Sequence, residues 1–202
     1  MRKALVGMIG LLLVFGTASF AEAIPPVRDV FYRVVGVASN DVLNIRAQPT
    51  SRSEIIGVFN HNHPLFEVTG SDGRWVRVNL GEYSGWVHSG YIQPVNVPTF
   101  PQTNLPNGLK CYGEEPFWTI TLSGGRLQLQ SMTFGENVYA VSTIENIGDG
   151  YLITGISKSA NEISIVVEDE MASSSMVEHY YNWSVSLEMD GYSVLGGTGC
   201  GL

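Results

Sequence analysis

The chain has 202 residues, with 19 acidic against 11 basic side chains and a formal net charge of −8. It offers no basic patch that could follow phosphate groups, which argues against nucleic acid and against an anionic membrane surface as partners. No stretch of a dozen residues shows the apolar stripe of a helix, whereas alternation with period two recurs throughout, so the sequence predicts an all-β protein.

The N-terminus (residues 1–23) has the features of an export signal. Arg2 and Lys3 precede the apolar residues 4–20, and a small-x-small cleavage site ends at Ala23. A retained membrane anchor is the alternative, although the apolar run is shorter than the roughly 20 residues of a membrane span. No cysteine stands near this site for acylation as in a lipoprotein. We therefore expect a periplasmic or secreted mature protein without stable membrane insertion.

Residues 28–96 are predicted to form a small β-barrel. Leu43 and Ile45 alternate with polar neighbours, which places an apolar pair on one face of a strand. The pair Asp72-Gly73 is typical of a tight hairpin turn, because glycine accepts the positive φ that such turns require. Charge is balanced here, with five basic and five acidic side chains between residues 30 and 95.

Two stretches of this segment carry a family resemblance. VLNIRAQPTSRSEIIGVF and GRWVRVNLGEYSGWVHSGYIQP resemble, in order and spacing, the opening and the close of a bacterial SH3 domain. The resemblance implies a small barrel of the kind found on exported envelope and cell-wall proteins, with a surface that binds cell-wall peptide or a partner protein. Exposed rings of Tyr83, Trp86 and Tyr91 would line that surface. For Trp75 and Trp86 the alternative is packing in the core of the barrel.

His61 and His63 lie two positions apart and would share one face of a strand. A zinc site generally needs three or four ligands, and the sequence around the two histidines is typical of a polar turn. We therefore predict a turn here, and neither a metal nor a cofactor for the chain.

The proline-rich segment 97–108, VPTFPQTNLPNG, separates the two halves of the chain. Proline fixes φ and lacks an N–H donor, so this composition predicts an extended linker.

Residues 109–202 are predicted to form a second, antiparallel β-barrel-like domain. Alternating segments such as RLQLQSM, NEISIVVE and YYNWSVSLEM are separated by the turn pairs Gly124-Gly125, Asp149-Gly150 and Asp190-Gly191. Residues 169–179 are predicted as a loop or one short helix. From Lys110 onward the chain has three basic against twelve acidic side chains, so this domain carries the excess negative charge.

Cys111 and Cys200 are the two cysteines of the chain. An even count in an exported protein indicates a disulfide, which would close the second domain. Two unpaired buried thiols are the alternative.

The stretch CYGEEPFW places Glu114 and Glu115 side by side, which raises the question of a paired acid and base. Glycosidase carboxyls face one another at roughly 5–10 Å, whereas neighbouring residues of a strand point to opposite faces. The chain also lacks the G-x-S-x-G, S-x-x-K and H-E-x-x-H motifs, and oxidised cysteines are not nucleophiles. We therefore predict no catalytic residue.

The GxEPFW pattern and the C-terminal spacing resemble an uncharacterised bacterial envelope family over residues 109–202. The resemblance to that family implies no particular reaction. For Glu115 two roles stay open: a ligand contact, or a buried carboxylate that accepts hydrogen bonds from turn amides.

Together these patterns predict a non-catalytic exported envelope protein whose SH3-like module binds cell-wall peptide or glycan, or an envelope protein. One alternative is an inhibitor of lysozyme, since an acidic barrel attracts a cationic protein and accelerates association. A cell-wall-modifying enzyme is the third possibility.

Overall fold

The computed structural model of the protein describes residues 30–189 and 192–202. The predicted export signal and the predicted Asp190-Gly191 turn lie outside these residues. Regular structure in the described part consists of nineteen β-strands and one 3₁₀ turn, so the all-β prediction is confirmed. None of the described residues belongs to a helix with the length and hydrophobicity needed to cross a membrane.

The first domain is a small barrel made of two sheets. One sheet has the order β4-β1-β8 and the other the order β3-β2-β7-β6-β5, with antiparallel pairing throughout. The strands are β1 (Phe31–Val34), β2 (Val42–Arg46), β3 (Ile55–Asn60), β4 (Phe66–Glu67), β5 (Gly70–Asp72), β6 (Trp75–Leu80), β7 (Tyr83–His88) and β8 (Ile92–Pro94), with the 3₁₀ turn at Ser89–Tyr91.

The core of this barrel is built from aliphatic side chains and one phenylalanine rather than from tryptophan. The side chains of Trp75 and Trp86 are half-buried and lie outside the core, which corrects the core-packing alternative. The reason is alternation, because Val76 and Val78 point inward from β6 and leave Trp75 on the opposite face. The buried core residues are Val34, Leu43, Ile45, Phe59, Val78 and Val87.

The second domain is one antiparallel sheet that curls into a nearly closed barrel. Its strand order is β18-β17-β14-β13-β12-β11-β10-β9-β19, and a two-stranded hairpin of β15 and β16 stands beside it. The strands are β9 (Leu109–Glu114), β10 (Phe117–Ser123), β11 (Arg126–Ser131), β12 (Gly135–Asn146), β13 (Gly150–Ser157), β14 (Glu162–Glu168), β15 (Ala172–Ser173), β16 (Tyr180–Tyr181), β17 (Ser184–Met189), β18 (Tyr192–Gly196) and β19 (Gly199–Gly201).

A disulfide lies where the barrel closes. Cys111 of β9 and Cys200 of β19 are directly opposite in the ladder and are joined by a disulfide, so the prediction of a bridge is confirmed. The backbone N–H of Cys200 also donates to the carbonyl of Trp183, immediately before β17. Strand β19 therefore ties the two ends of the sheet together.

Hairpin turns follow the predicted glycine pairs with one correction. Gly124 and Gly125 both have positive φ, as expected for the tight turn between β10 and β11. Between β12 and β13, however, Gly148 takes the positive φ, while Gly150 already belongs to β13. Gly150 is needed for space, because a Cβ there would lie 2.3 Å from the carbonyl oxygen of Val167.

The prediction of an extended linker at residues 97–108 is wrong, because this segment folds back on itself and packs against the second domain. The N–H of Phe100 donates to the carbonyl of Leu105, and both side chains are fully buried in the barrel core. Phe31 of β1 lies in the same core, with its ring stacked on Trp183 at a centroid distance of 6.3 Å. The barrel core thus includes side chains from before and within this segment.

The two domains also contact through residues 169–182, which form a loop with the β15–β16 hairpin and no helix. The side-chain amide of Asn79 donates to the carbonyl of Tyr180 at 2.7 Å and accepts from its N–H at 3.1 Å. Ser84 donates to the carboxylate of Glu178 at 2.7 Å, and the Arg77 guanidinium lies 3.5 Å from the ring centroid of Tyr180.

Candidate ligand groove

The outward face of the larger sheet in the first domain carries aromatic and basic side chains. Register places Trp75 opposite His88 and Arg46 opposite Trp86, on the face that the core residues leave free. Trp75 and His88 meet edge to face at 5.4 Å, and the rings of His88 and Tyr91 are 5.9 Å apart. Such rings offer contact area that the barrel does not use for its own packing.

A groove of about 590 Å³ lies beside these rings, and it is referred to below as the ligand groove. The volume is within the roughly 300–1,000 Å³ range of small-molecule sites. Aromatic, charged and small polar groups all contribute to its walls, which are formed by Gly36, Val37, Ala38, Asp41, Val42, Leu43, Asn44, Arg46, Ser51, Trp75, His88 and Tyr91.

Hydrogen bonds hold three polar side chains of the ligand groove in place. His88 Nδ1 accepts from the N–H of Gly90 at 3.1 Å, and because that nitrogen is an acceptor, Nε2 carries the proton of the neutral ring. Arg46 donates from Nη1 to the carbonyl of Ser53 at 2.7 Å, and Asp41 accepts from the N–H of Val42 at 2.8 Å. No other group in the described part of the chain accepts a hydrogen bond from the Arg46 guanidinium, which leaves its remaining N–H donors for a ligand.

Of the three aromatic residues predicted to bind a ligand, one lines the ligand groove and two do not. Tyr91 is 45% exposed and lines the ligand groove. Tyr83 is 65% exposed at the start of β7 and Trp86 is half-buried, and neither lines the groove. Trp75 and His88, which do line it, were not selected from the sequence, although alternation with Val76 and Val87 is the signal that places them on the outer face.

The buried role considered for Glu115 is wrong, because this side chain is exposed. Strand β9 ends at Glu114, and Glu115 and Pro116, joined by a cis peptide bond, form the turn to β10. The neighbouring Glu114 is the carboxylate that accepts hydrogen bonds, from the hydroxyls of Ser174 and Ser175. Desolvation raises the pKa of Glu114, but these hydrogen bonds outweigh it and hold the pKa below its usual range.

The remainder of the motif is explained by packing. Trp118 is buried, and its indole lies on Gly113, where a Cβ would stand 2.1 Å from Nε1. Phe117 points the other way and is 58% exposed. The pattern GxEPFW therefore describes a glycine that makes room for a buried ring on the adjacent strand.

His61 lies in the turn after β3, as predicted, while the ring of His63 stacks on Phe59 at 4.4 Å. Within the described residues, no group of three or more His, Cys, Asp or Glu side chains could hold a metal ion.

Residues 41–93 match the family model of the bacterial SH3 domain, and this match covers β2 to β7, most of β8 and nine of the twelve residues that line the ligand groove. The first domain is a bacterial SH3 domain. No curated protein and no solved structure is significantly similar to the chain. SH3 domains of bacteria commonly bind cell-wall or protein partners, and the SH3 domain together with the disulfide fits a protein that works outside the cytoplasm.

Proposed function

We propose that this protein is a non-catalytic binding protein of the cell envelope, periplasmic or secreted, whose SH3 domain holds a cell-wall peptide in the ligand groove. The observation that carries the proposal is the row of rings at Trp75, His88 and Tyr91 beside the Arg46 guanidinium, on a rigid sheet face that the core does not use.

The chemistry of the ligand groove suits a short peptide with free carboxylates, as in cell-wall stems. Rings bury the apolar parts of such a peptide with little loss of side-chain entropy. The Arg46 guanidinium is a planar donor that matches a carboxylate. Asp41, also in the wall, is available for an ammonium group of the same ligand.

A non-catalytic role is supported by the state of the cysteines. Both sulfurs are joined in the disulfide at the barrel closure, so neither is available as the thiolate that a cysteine peptidase requires. The Glu114 carboxylate is engaged by two serine hydroxyls, and Glu115 extends from a turn.

Retention on insoluble peptidoglycan tests the proposal with the full chain. We expect the wild-type protein to sediment with purified peptidoglycan, and Trp75→Ala to lose most of this retention because it removes one wall of the ligand groove. Tyr83→Ala is the matched control, since Tyr83 is an exposed ring of the same domain outside the groove. Equal retention of Trp75→Ala and wild type would show that the ligand groove is not the site that binds peptidoglycan.

Inhibition of a cationic enzyme such as lysozyme is the second candidate, favoured by the twelve acidic side chains of the disulfide-closed barrel. It predicts inhibition at low ionic strength that disappears in high salt, because exposed charges are screened. Absence of inhibition by the full chain at low salt would reject it.

A further inference from the structure

A second cavity lies between the SH3 domain and the barrel, and it is referred to below as the interdomain pocket. It has a volume of about 210 Å³ and shares no residue with the ligand groove. Both domains and the C-terminal residues form its walls, which consist of Phe59, His63, Phe66, Glu67, Asn79, Tyr112, His179, Tyr181, Gly201 and Leu202.

Among the described residues that form these walls, Glu67 has the only acidic side chain. Its Oε1 accepts from the N–H of Leu202 at 3.1 Å, whereas no donor among residues 30–189 and 192–202 reaches Oε2. Burial raises the pKa of Glu67 to about 7, despite the opposing hydrogen bond from Leu202. A partly buried carboxylate with a free oxygen is unfavourable unless it takes up a proton or a cation approaches it.

Aromatic rings line the same pocket in two sets, one from each domain. In the SH3 domain Phe59 stacks on Phe66 at 4.6 Å and on His63 at 4.4 Å. In the barrel Tyr181 lies 5.8 Å from Tyr112 and 4.7 Å from His179. The faces of aromatic rings carry negative potential and attract cations, most strongly in sites shielded from water.

Among the described residues, the walls of the interdomain pocket include no lysine or arginine. Of their two histidines, His63 has its ring stacked on Phe59 at 4.4 Å. Both ring nitrogens of His179 are engaged by other groups, since Nδ1 lies 3.0 Å from the carbonyl oxygen of Gly81 and Nε2 lies 3.0 Å from the side-chain nitrogen of Asn79. The Glu67 carboxylate is therefore left without a positive partner among the described residues.

We propose that the interdomain pocket binds a primary ammonium group on a short alkyl chain, as presented by a lysine-type side chain. The ammonium would meet Oε2 of Glu67, and the alkyl chain would lie between the two sets of rings. The volume, below that of drug-sized sites, fits one such side chain rather than a whole peptide. The site is independent of the ligand groove and does not rest on the function proposed above.

Titration of the full chain with n-butylammonium chloride, followed by amide NMR shifts at pH 7.5, tests the site. We expect saturable shifts at Asn79, Gly201 and Leu202 with a millimolar dissociation constant. Sodium chloride and the neutral isostere 1-butanol, at equal concentrations, should give no saturable shift at these positions.

Variants at Glu67 test whether the negative charge of its carboxylate is responsible for the binding of the ammonium group. Glu67→Gln keeps the shape and the bond from Leu202 but should weaken binding at least tenfold, whereas Glu67→Asp, which keeps the charge, should retain part of the affinity. Glu54→Gln, at an exposed carboxylate of the same domain, should bind as the wild type does. Equal affinity of Glu67→Gln and wild type, equal binding of 1-butanol, or absence of saturable shifts up to 50 mM ligand (roughly fifty times a 1 mM constant) would overturn the proposal.

Discussion

Glu67 shows how a single, partly buried carboxyl group couples stability to pH. Its folded-state pKa is about 7, against the ordinary value of 4.5 in the unfolded chain. A carboxyl whose pKa is raised by folding stabilises the protein fully below pH 4.5, and this contribution is lost as the pH rises through 7.

Glu67→Gln therefore predicts a pH-dependent gain in stability. At pH 4 the variant should match the wild type, because both side chains are neutral. At pH 8 it should be more stable by up to about 3 kcal/mol, since the variant has no charge to bury. Urea unfolding at the two pH values measures this, and a stability difference that is the same at both would contradict the assignment.

Gly113 is the residue on which the packing of Trp118 depends. In Gly113→Ala the new Cβ would stand 2.1 Å from Nε1 and 2.2 Å from Cε2 of the Trp118 ring, which is 2% exposed. We expect a loss of about 1–3 kcal/mol in the free energy of unfolding, as for other overpacked cores. The control is Gly196→Ala, where a Cβ meets nothing within 4 Å. Equal stability of the two variants would show that the ring adjusts freely.

For individual residues, the sequence predicted the disulfide but not the separate roles of Glu114 and Glu115. Cysteine count and export features suffice for a pairing when the chain has two cysteines. Glu114 and Glu115 differ because β9 ends between them, and the partners of Glu114 lie about sixty positions further along the chain. A local pattern does not contain that distant contact.

Strand β19 is a three-residue element that depends on the disulfide and on its ladder with β9. The bridge joins positions 89 apart in sequence, a loop for which the chain-entropy relation gives a stabilisation of about 4–5 kcal/mol. Replacing both cysteines by alanine should lower the free energy of unfolding by several kcal/mol, measured in urea. A loss below about 1 kcal/mol would mean that the unfolded chain is already constrained.

Strands were predictable as elements because alternation with period two reports directly which face of a sheet is buried. The same alternation explains why Trp75 and His88 lie outside the core in the structure. The alternative, packing of Trp75 in the core of the barrel, rested on residue type alone. The amino-acid composition of residues 97–108 was not enough to predict their packing. The prolines restrict φ, but nothing in the local sequence indicates that Phe100 and Leu105 are buried in the barrel core.

The whole molecule behaves as two barrels with a shared boundary rather than as independent units. Phe31 belongs to β1 of the first domain yet is buried in the core of the second, against Trp183. Asn79 and Ser84 add polar contacts across the same boundary. The sequence did not predict this coupling, because contacts between distant segments leave no periodic pattern.

Phe31→Ala should therefore destabilise the barrel although the residue lies outside it in sequence. Loss of a buried phenylalanine typically costs about 3–5 kcal/mol, and calorimetry of the full chain should show a lower melting temperature for the second domain. Ile55→Ala, at an exposed apolar residue of the first domain, serves as the control. An unchanged melting temperature in Phe31→Ala would show that the barrel folds without it.

An NMR titration of the full chain with a soluble peptidoglycan stem peptide measures whether the ligand groove binds a cell-wall peptide. We expect saturable amide shifts centred on Asn44, Arg46 and His88, which disappear in Trp75→Ala and persist in Tyr83→Ala. Shifts confined to the acidic barrel, or no shift at millimolar peptide, would contradict this proposal.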